Sequence, residues 1–163
     1  MARRVDPRCF NSFIDAHMLD RAGGPEEAAV DRILALYDES KIGVLLPHSV
    51  KREIEHPNTP AAVKDRSRRF VYTEPVSLTA PEQEQHAKAR ALLQGNAQPG
   101  RHAADAFHVV ESAKYGGGYF ITLDTRMHKK AKELEALLGI IIVAPSRFVE
   151  LYDEFERKWP RTQ

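Results

Sequence analysis

The chain has 163 residues, 24 Lys+Arg against 23 Asp+Glu, a formal net charge of +1 and a single cysteine. That length suits one domain, and 42% hydrophobic residues at near-balanced charge exclude a disordered polyelectrolyte. Cys9 alone excludes an intramolecular disulfide and a cysteine-based zinc module, which fits a reducing, cytoplasmic setting.

The basic start Met1-Ala2-Arg3-Arg4 leads into Asn11, Asp15 and His17, so no signal-peptide core forms. No run reaches the ~18 apolar residues of a membrane span. Cys9 to Ala16 reads as a first strand, with Phe10, Phe13 and Ile14 ahead of Asp15. Pro25 followed by Glu26 and Glu27 marks a helix start, because proline fits the first turn and acids complement the helix dipole. Ala29, Val30, Ile33, Leu34, Leu36 and Tyr37 then recur at helical spacing as far as Lys41. Gly43 to Leu46 is a short apolar run, the pattern of a strand buried on both faces. Pro47 and Ser49 open a short helix that ends at His56-Pro57, since proline disfavours helix in the residue before it.

Residues 57–100 form a proline-rich middle region. One helix and an extended piece are expected before Pro81, with Lys64, Arg66, Arg68 and Arg69 among them; a helix then runs from Pro81 to Leu93 and breaks at Gly95. The next helix, His102 to Tyr115, is stopped by Gly116-Gly117-Gly118. Tyr119–Leu123 reads as a strand, Thr125–Leu138 as a helix stopped by Gly139, Ile140–Val143 as a strand and Pro145–Phe155 as a last helix. From Glu156 the chain is polar except for Trp159 and is expected to be loosely held. Short apolar strands alternating with helices predict an α/β domain with a largely parallel sheet.

In such sheets ligands bind beyond the carboxyl ends of the strands. Asp15 ends the first strand, and Asp124 lies just past Tyr119–Leu123 with Thr122 two residues before it. Glu53 falls about 80° from the middle of the Val50/Ile54 stripe and Glu55 about 120°, so Glu53 is the acid expected to face inward. Asp105 stands alone in an apolar helix, Ala103-Ala104-Asp105-Ala106-Phe107-His108-Val109-Val110. A first-turn dipole effect accounts for an acid there, and so does a shared cation. Four gathered carboxylates would raise one another's pKa, and a hard divalent cation such as Mg²⁺ or Mn²⁺ removes that penalty. Such a site activates water and stabilises the leaving oxygen in phosphodiester hydrolysis.

Phe13-Ile14-Asp15-Ala16, Pro47-His48-Ser49-Val50 with Glu53-Ile54, Asp105-Ala106 with His108-Val109 and Ala113, and Phe120-Ile121-Thr122-Leu123-Asp124 occur in an order that resembles the PIN-domain nucleases. Within them the chain looks most like the VapC-type toxin ribonucleases of VapBC toxin–antitoxin pairs. The resemblance implies a three-layer α/β/α PIN-like domain over residues 9–151, followed by a polar tail, 152–163. It also implies a Mg²⁺- or Mn²⁺-dependent endoribonuclease acting on RNA, a homodimer and inhibition by a small antitoxin protein. Asp15, Glu53, Asp105 and Asp124 would be the metal ligands, with Thr122 supporting the site. One departure is His17, where the family commonly has asparagine two residues after the first aspartate; it is kept as a site neighbour.

Arg126, Lys129, Lys130 and Lys132 follow Asp124 and are candidates for phosphate contacts, with Arg66, Arg68 and Arg69 a second set. His102 and His108 lie about 240° apart on their helix and cannot share a metal as an i, i+4 pair can. The remaining histidines show no motif spacing, and Ser12, Ser49 and Ser112 lack a nucleophile-elbow context. Setting aside the four acids leaves +5 on the rest of the chain, so near-neutrality does not exclude nucleic acid as a partner.

Overall fold

The computed structural model describes residues 5–20, 23–97 and 102–161. The Met1–Arg4 stretch and the extreme ends of the expected middle region and tail lie outside them. Five strands, β1 (Asn11–Ile14), β2 (Gly43–Leu46), β3 (Val71–Tyr72), β4 (Tyr119–Ile121) and β5 (Ile141–Val143), form one parallel sheet in the order β3-β2-β1-β4-β5. The chain builds outward from β1 through β2 to β3, then crosses to the other side of β1 for β4 and β5. Strand order therefore reverses between β1 and β4, and the crevice beyond their carboxyl ends is where an open parallel sheet offers a binding site.

Helices cover both faces. Successive side chains of a strand point to opposite faces, and the core divides accordingly. Ile14, Val44, Leu46, Tyr119 and Ile121 pack with Val30, Ile33 and Leu34 of α1 (Glu27–Asp38). Phe148, Leu151 and Tyr152 of the last helix join the same layer. Phe13, Phe120 and Ile142 face the other way, toward α4 (Ala80–Gln94) and α5 (Ala103–Lys114). The result is a three-layer α/β/α domain; the residue pattern predicts its parallel α/β character and the resemblance its three layers. Among the described residues no helix is long and apolar enough to cross a membrane.

After β2, α2 (Lys51–Glu55) follows a 3₁₀ turn at His48–Val50, and α3 (Ala61–Ser67) with β3 gives order to the proline-rich region. Thr79 caps α4 through a reciprocal capping box with Glu82. The predicted helix Thr125–Leu138 is two helices, α6 (Thr125–Lys129) and α7 (Ala131–Leu138), parted at Lys130 (φ −108°, ψ 14°). The last helix, α8 (Pro145–Lys158), runs three residues past the predicted end at Phe155. Tyr152 is buried, the Phe155 and Trp159 rings lie 5.3 Å apart, and the Trp159 carbonyl accepts from Arg8 Nη1 at 2.7 Å. Residues 152–159 are therefore docked structure, because Arg8 also pairs with Glu156 at 3.3 Å and Arg32 of α1 pairs with Asp153 at 2.6 Å. At the other end Val5 is in the core and its N–H donates to the Tyr119 hydroxyl at 3.1 Å, so the packed body starts before residue 9.

Candidate metal centre

Asp15 leaves β1 directly into a 3₁₀ turn (Ala16–Leu19) and caps it, accepting from the Met18 N–H through Oδ1 at 3.4 Å. Its other oxygen, Oδ2, accepts from the Thr122 hydroxyl at 2.6 Å. Both side chains are buried, so this bond joins the ends of β1 and β4 across the crevice. Thr122 Oγ1 in turn accepts from the Asp124 N–H at 3.1 Å, and Asp124 Oδ1 accepts from the Arg126 N–H at 2.8 Å, capping α6. Burial pushes the Asp15 carboxyl above its ordinary pKa, against the Thr122 hydrogen bond and the charges of His17 and His108.

On the β2 side of the crevice, Glu53 faces inward while Glu55 stays exposed beside Lys51. Glu53, Asp105 in the first turn of α5 and His108 one turn later each offer one ligand atom, and these atoms lie within 4.8 Å of one another. The group could hold a metal ion. Burial opposes ionisation of Glu53, but the hydrogen bond and charge of His108 outweigh it and hold that carboxyl below its ordinary value. Asp105 shifts the opposite way: burial pushes it up, and the charges of Glu53 and Asp124 add to the rise against His108 and His102. The unrelieved negative charge thus lies at Asp105, where burial and two neighbouring carboxylates meet, while His108 compensates Glu53.

The predicted acids are thus gathered in two subsets. Glu53 and Asp105 converge with His108, whereas Asp15 pairs with Thr122 and Asp124 is felt by Asp105 through its charge. His17 is exposed and lines a cleft of about 350 Å³ with Asp20, Leu123, Asp124 and Thr125.

His108 is the correction. The absence of a histidine pair at metal spacing had removed it from consideration, yet it is 1% exposed, with Nε2 2.7 Å from Glu53 Oε1 and Nδ1 2.6 Å from Ser49 Oγ. Buried Glu111 completes the chain, accepting from the Ser49 N–H at 2.8 Å and from Ser49 Oγ at 3.0 Å. The signal was present in other spacings: Asp105 and His108 are three apart on one helix, and Ser49 and Glu53 four apart, so each pair shares a face.

The expected phosphate contacts fare differently. Arg126 is turned onto the Leu93 carbonyl at 3.1 Å and the His102 ring. Lys130 lines a separate hollow with Lys88, Ala91, Leu92, Gly95 and Leu137, away from the acids, and Lys129 is exposed. Arg66 donates to the Leu19 carbonyl, Arg68 pairs with Asp65 at 2.8 Å and Arg69 with Asp38 at 3.0 Å. Sequence reasoning missed a cleft of about 720 Å³ beside Ser49, walled by His48, Lys51, Arg52, Glu55, His56, Pro57 and Phe107. Arg52 makes no ion pair among the described residues and is exposed there. Comparison with family models, with curated proteins and with solved structures gives no match for this chain.

Proposed function

We propose that the protein is a Mg²⁺- or Mn²⁺-dependent endoribonuclease that hydrolyses RNA phosphodiester bonds. The observation that carries the reading is the convergence of Glu53, Asp105 and His108 at the switch-point crevice, with the Asp15–Thr122 bridge beside them. The donor set fits a divalent cation: carboxylates from separate elements, one held above its ordinary pKa by burial and by the charges of Glu53 and Asp124, stand where positive charge would relieve them. A cation bound there supplies Lewis-acid activation of water and neutralises charge on the leaving oxygen. The chain's own residues do the rest. Glu53, kept ionised by His108, offers a carboxylate oxygen to hold or accept a proton. Thr122 fixes the Asp15 carboxylate by donating its hydroxyl proton to Oδ2. Arg52, Lys51 and Phe107 line an adjoining cleft and give it cations and an aromatic ring, the residue types that suit single-stranded RNA.

Purified protein incubated with tRNA and rRNA fragments tests this. Cleavage is expected with Mn²⁺ or Mg²⁺, abolished by EDTA and reduced at least about 100-fold by Asp15→Asn and by Asp105→Asn. Cleavage that survives EDTA or both substitutions overturns the proposal. RNA binding without cleavage identifies a non-catalytic module instead. A toxin role with a small antitoxin partner is the narrower form of the proposal and rests on the family resemblance.

A further inference from the structure

Two clefts open beside the candidate metal centre, and their walls differ. On the β2 side the cleft of about 720 Å³ is walled by α2, Ser49 and Phe107 of α5, and is of a size that encloses a ligand as large as a nucleotide. Ser49 belongs to both places: it lines the cleft, and its Oγ lies 2.6 Å from His108 Nδ1, while Nε2 of the same ring lies 2.7 Å from Glu53 Oε1. One imidazole ring therefore separates the cleft wall from the Glu53 carboxylate. On the β4 side the cleft of about 350 Å³ is walled by His17, Asp20, Leu123, Asp124 and Thr125, with no lysine, no arginine and no phenylalanine, tyrosine or tryptophan ring.

The cations on the β2 side are not equally free. Lys51 Nζ lies 3.9 Å from Glu55 Oε1, the one acid in that wall, and 5.9 Å from the Tyr72 ring centroid. Arg52 is exposed and makes no ion pair among the described residues, so it is the cation left for an outside phosphate. Phe107 is half-buried, and the His86 ring packs against it at 74° with centroids 5.3 Å apart, which holds the phenyl in place. An unpaired guanidinium beside a fixed aromatic ring suits one phosphate and one base of a single strand.

We propose that the β2-side cleft selects the nucleotide next to the scissile phosphate: its base stacks on Phe107, its outer phosphate pairs with Arg52, and the β4 side adds no comparable hold. Stacking strengthens with the area of the base, so the subsite prefers a purine. Phe107 and Arg52 are thus specificity residues standing outside the cation centre. The inference rests on the ribonuclease reading for its ligand class, and adds which flank of the cut is read and by which side chains.

Binding is measured apart from cleavage, by fluorescence anisotropy of the full chain in EDTA with end-labelled RNA pentamers of adenosine and of uridine. The adenosine strand is expected to bind at least about 3-fold tighter. Phe107→Leu keeps apolar bulk and removes the ring; it should weaken binding at least about 5-fold and erase the purine preference, whereas Phe107→Tyr should keep both. Arg52→Gln should lower the slope of log affinity against log salt by about 0.7, the share of one phosphate on a single strand, and Arg52→Lys should restore it. Asp20→Asn on the β4 side should leave the preference unchanged. With Mn²⁺, cuts in a mixed-sequence RNA should fall beside purines and lose that bias in Phe107→Leu. Equal affinity for the two strands, binding unmoved by Phe107→Leu, an unchanged salt slope in Arg52→Gln, or no RNA binding overturns the inference. Cleavage without purine bias overturns it and leaves the ribonuclease standing; purine-selective binding through Phe107 and Arg52 without cleavage leaves the subsite standing and overturns the ribonuclease.

Discussion

Asp105 illustrates how one residue answers to two forces. As an acid in the first turn of α5 it is favoured by the helix dipole, while burial and the charges of Glu53 and Asp124 hold its carboxyl above the ordinary pKa. The helix-end effect was a sufficient account in the sequence; the neighbours are what make it insufficient. Asp105→Asn keeps the shape and removes the charge. In EDTA at pH 7.5 the variant is expected to melt about 2–4 °C above the wild type, the shift that roughly 1 kcal/mol gives a domain of this size. The gain should shrink toward pH 4, because a carboxyl held above its ordinary value loses its charge as pH falls, and Mn²⁺ should no longer raise the melting temperature. Scanning calorimetry at the two pH values decides it, and an equal gain at both would show that charge is not the cause. His108 teaches the converse lesson: its residue type was visible, but a buried histidine facing Glu53 is created by α2 and α5 meeting, not by spacing along either.

At the level of elements, most starts and stops follow from local chemistry. Gly139 ends α7 in the left-handed region (φ 78°), and Thr79 with Pro81 and Glu82 starts α4. The glycine run after α5 does more than stop it. A Cβ on Gly117 would lie 2.1 Å from Phe13 Cε2, a fully buried ring of the central strand. Gly117→Ala is therefore expected to destabilise by about 1–3 kcal/mol in urea unfolding, the usual range for forcing bulk into a packed core. Gly43→Ala is the contrast, since its new Cβ meets only the Asn11 side-chain end, which is exposed and can swing away; a loss under about 1 kcal/mol is expected. The break at Lys130 was not legible. Met127 and Leu134 are both buried in one core layer, and at seven residues apart they would also share a face of a continuous helix. A periodic pattern that survives the break cannot announce it. Two-residue β3 is the extended piece expected before Pro81, although Val71 at its exposed edge shows no alternation that would give its bounds.

For the whole molecule, the carboxylates set a pH dependence whose sign is fixed by their shifts. Asp15 and Asp105 have folded pKa values above their unfolded ones. Between those values the folded state holds more protons than the unfolded state, so their contribution to stability is present at low pH and is lost as pH rises through the folded values. A bound cation competes for the same oxygens and restores it. The rise in melting temperature caused by Mn²⁺ should therefore grow from pH 5 to pH 8, and should be small and flat in an Asp15→Asn/Asp105→Asn double variant. A rise in melting temperature that shrinks with pH would contradict the sign. Composition, apolar periodicity and helix punctuation determined by themselves that this chain forms a parallel α/β domain and that acids stand at its strand ends, because those signals are local. Only the tertiary structure decided which acids meet, that Asp15 spends an oxygen on Thr122 and that Ser49 and Glu111 orient His108 toward Glu53. The reason is that β1 and β4 are neighbours across more than a hundred residues, and α2 meets α5 only once the sheet has brought them together.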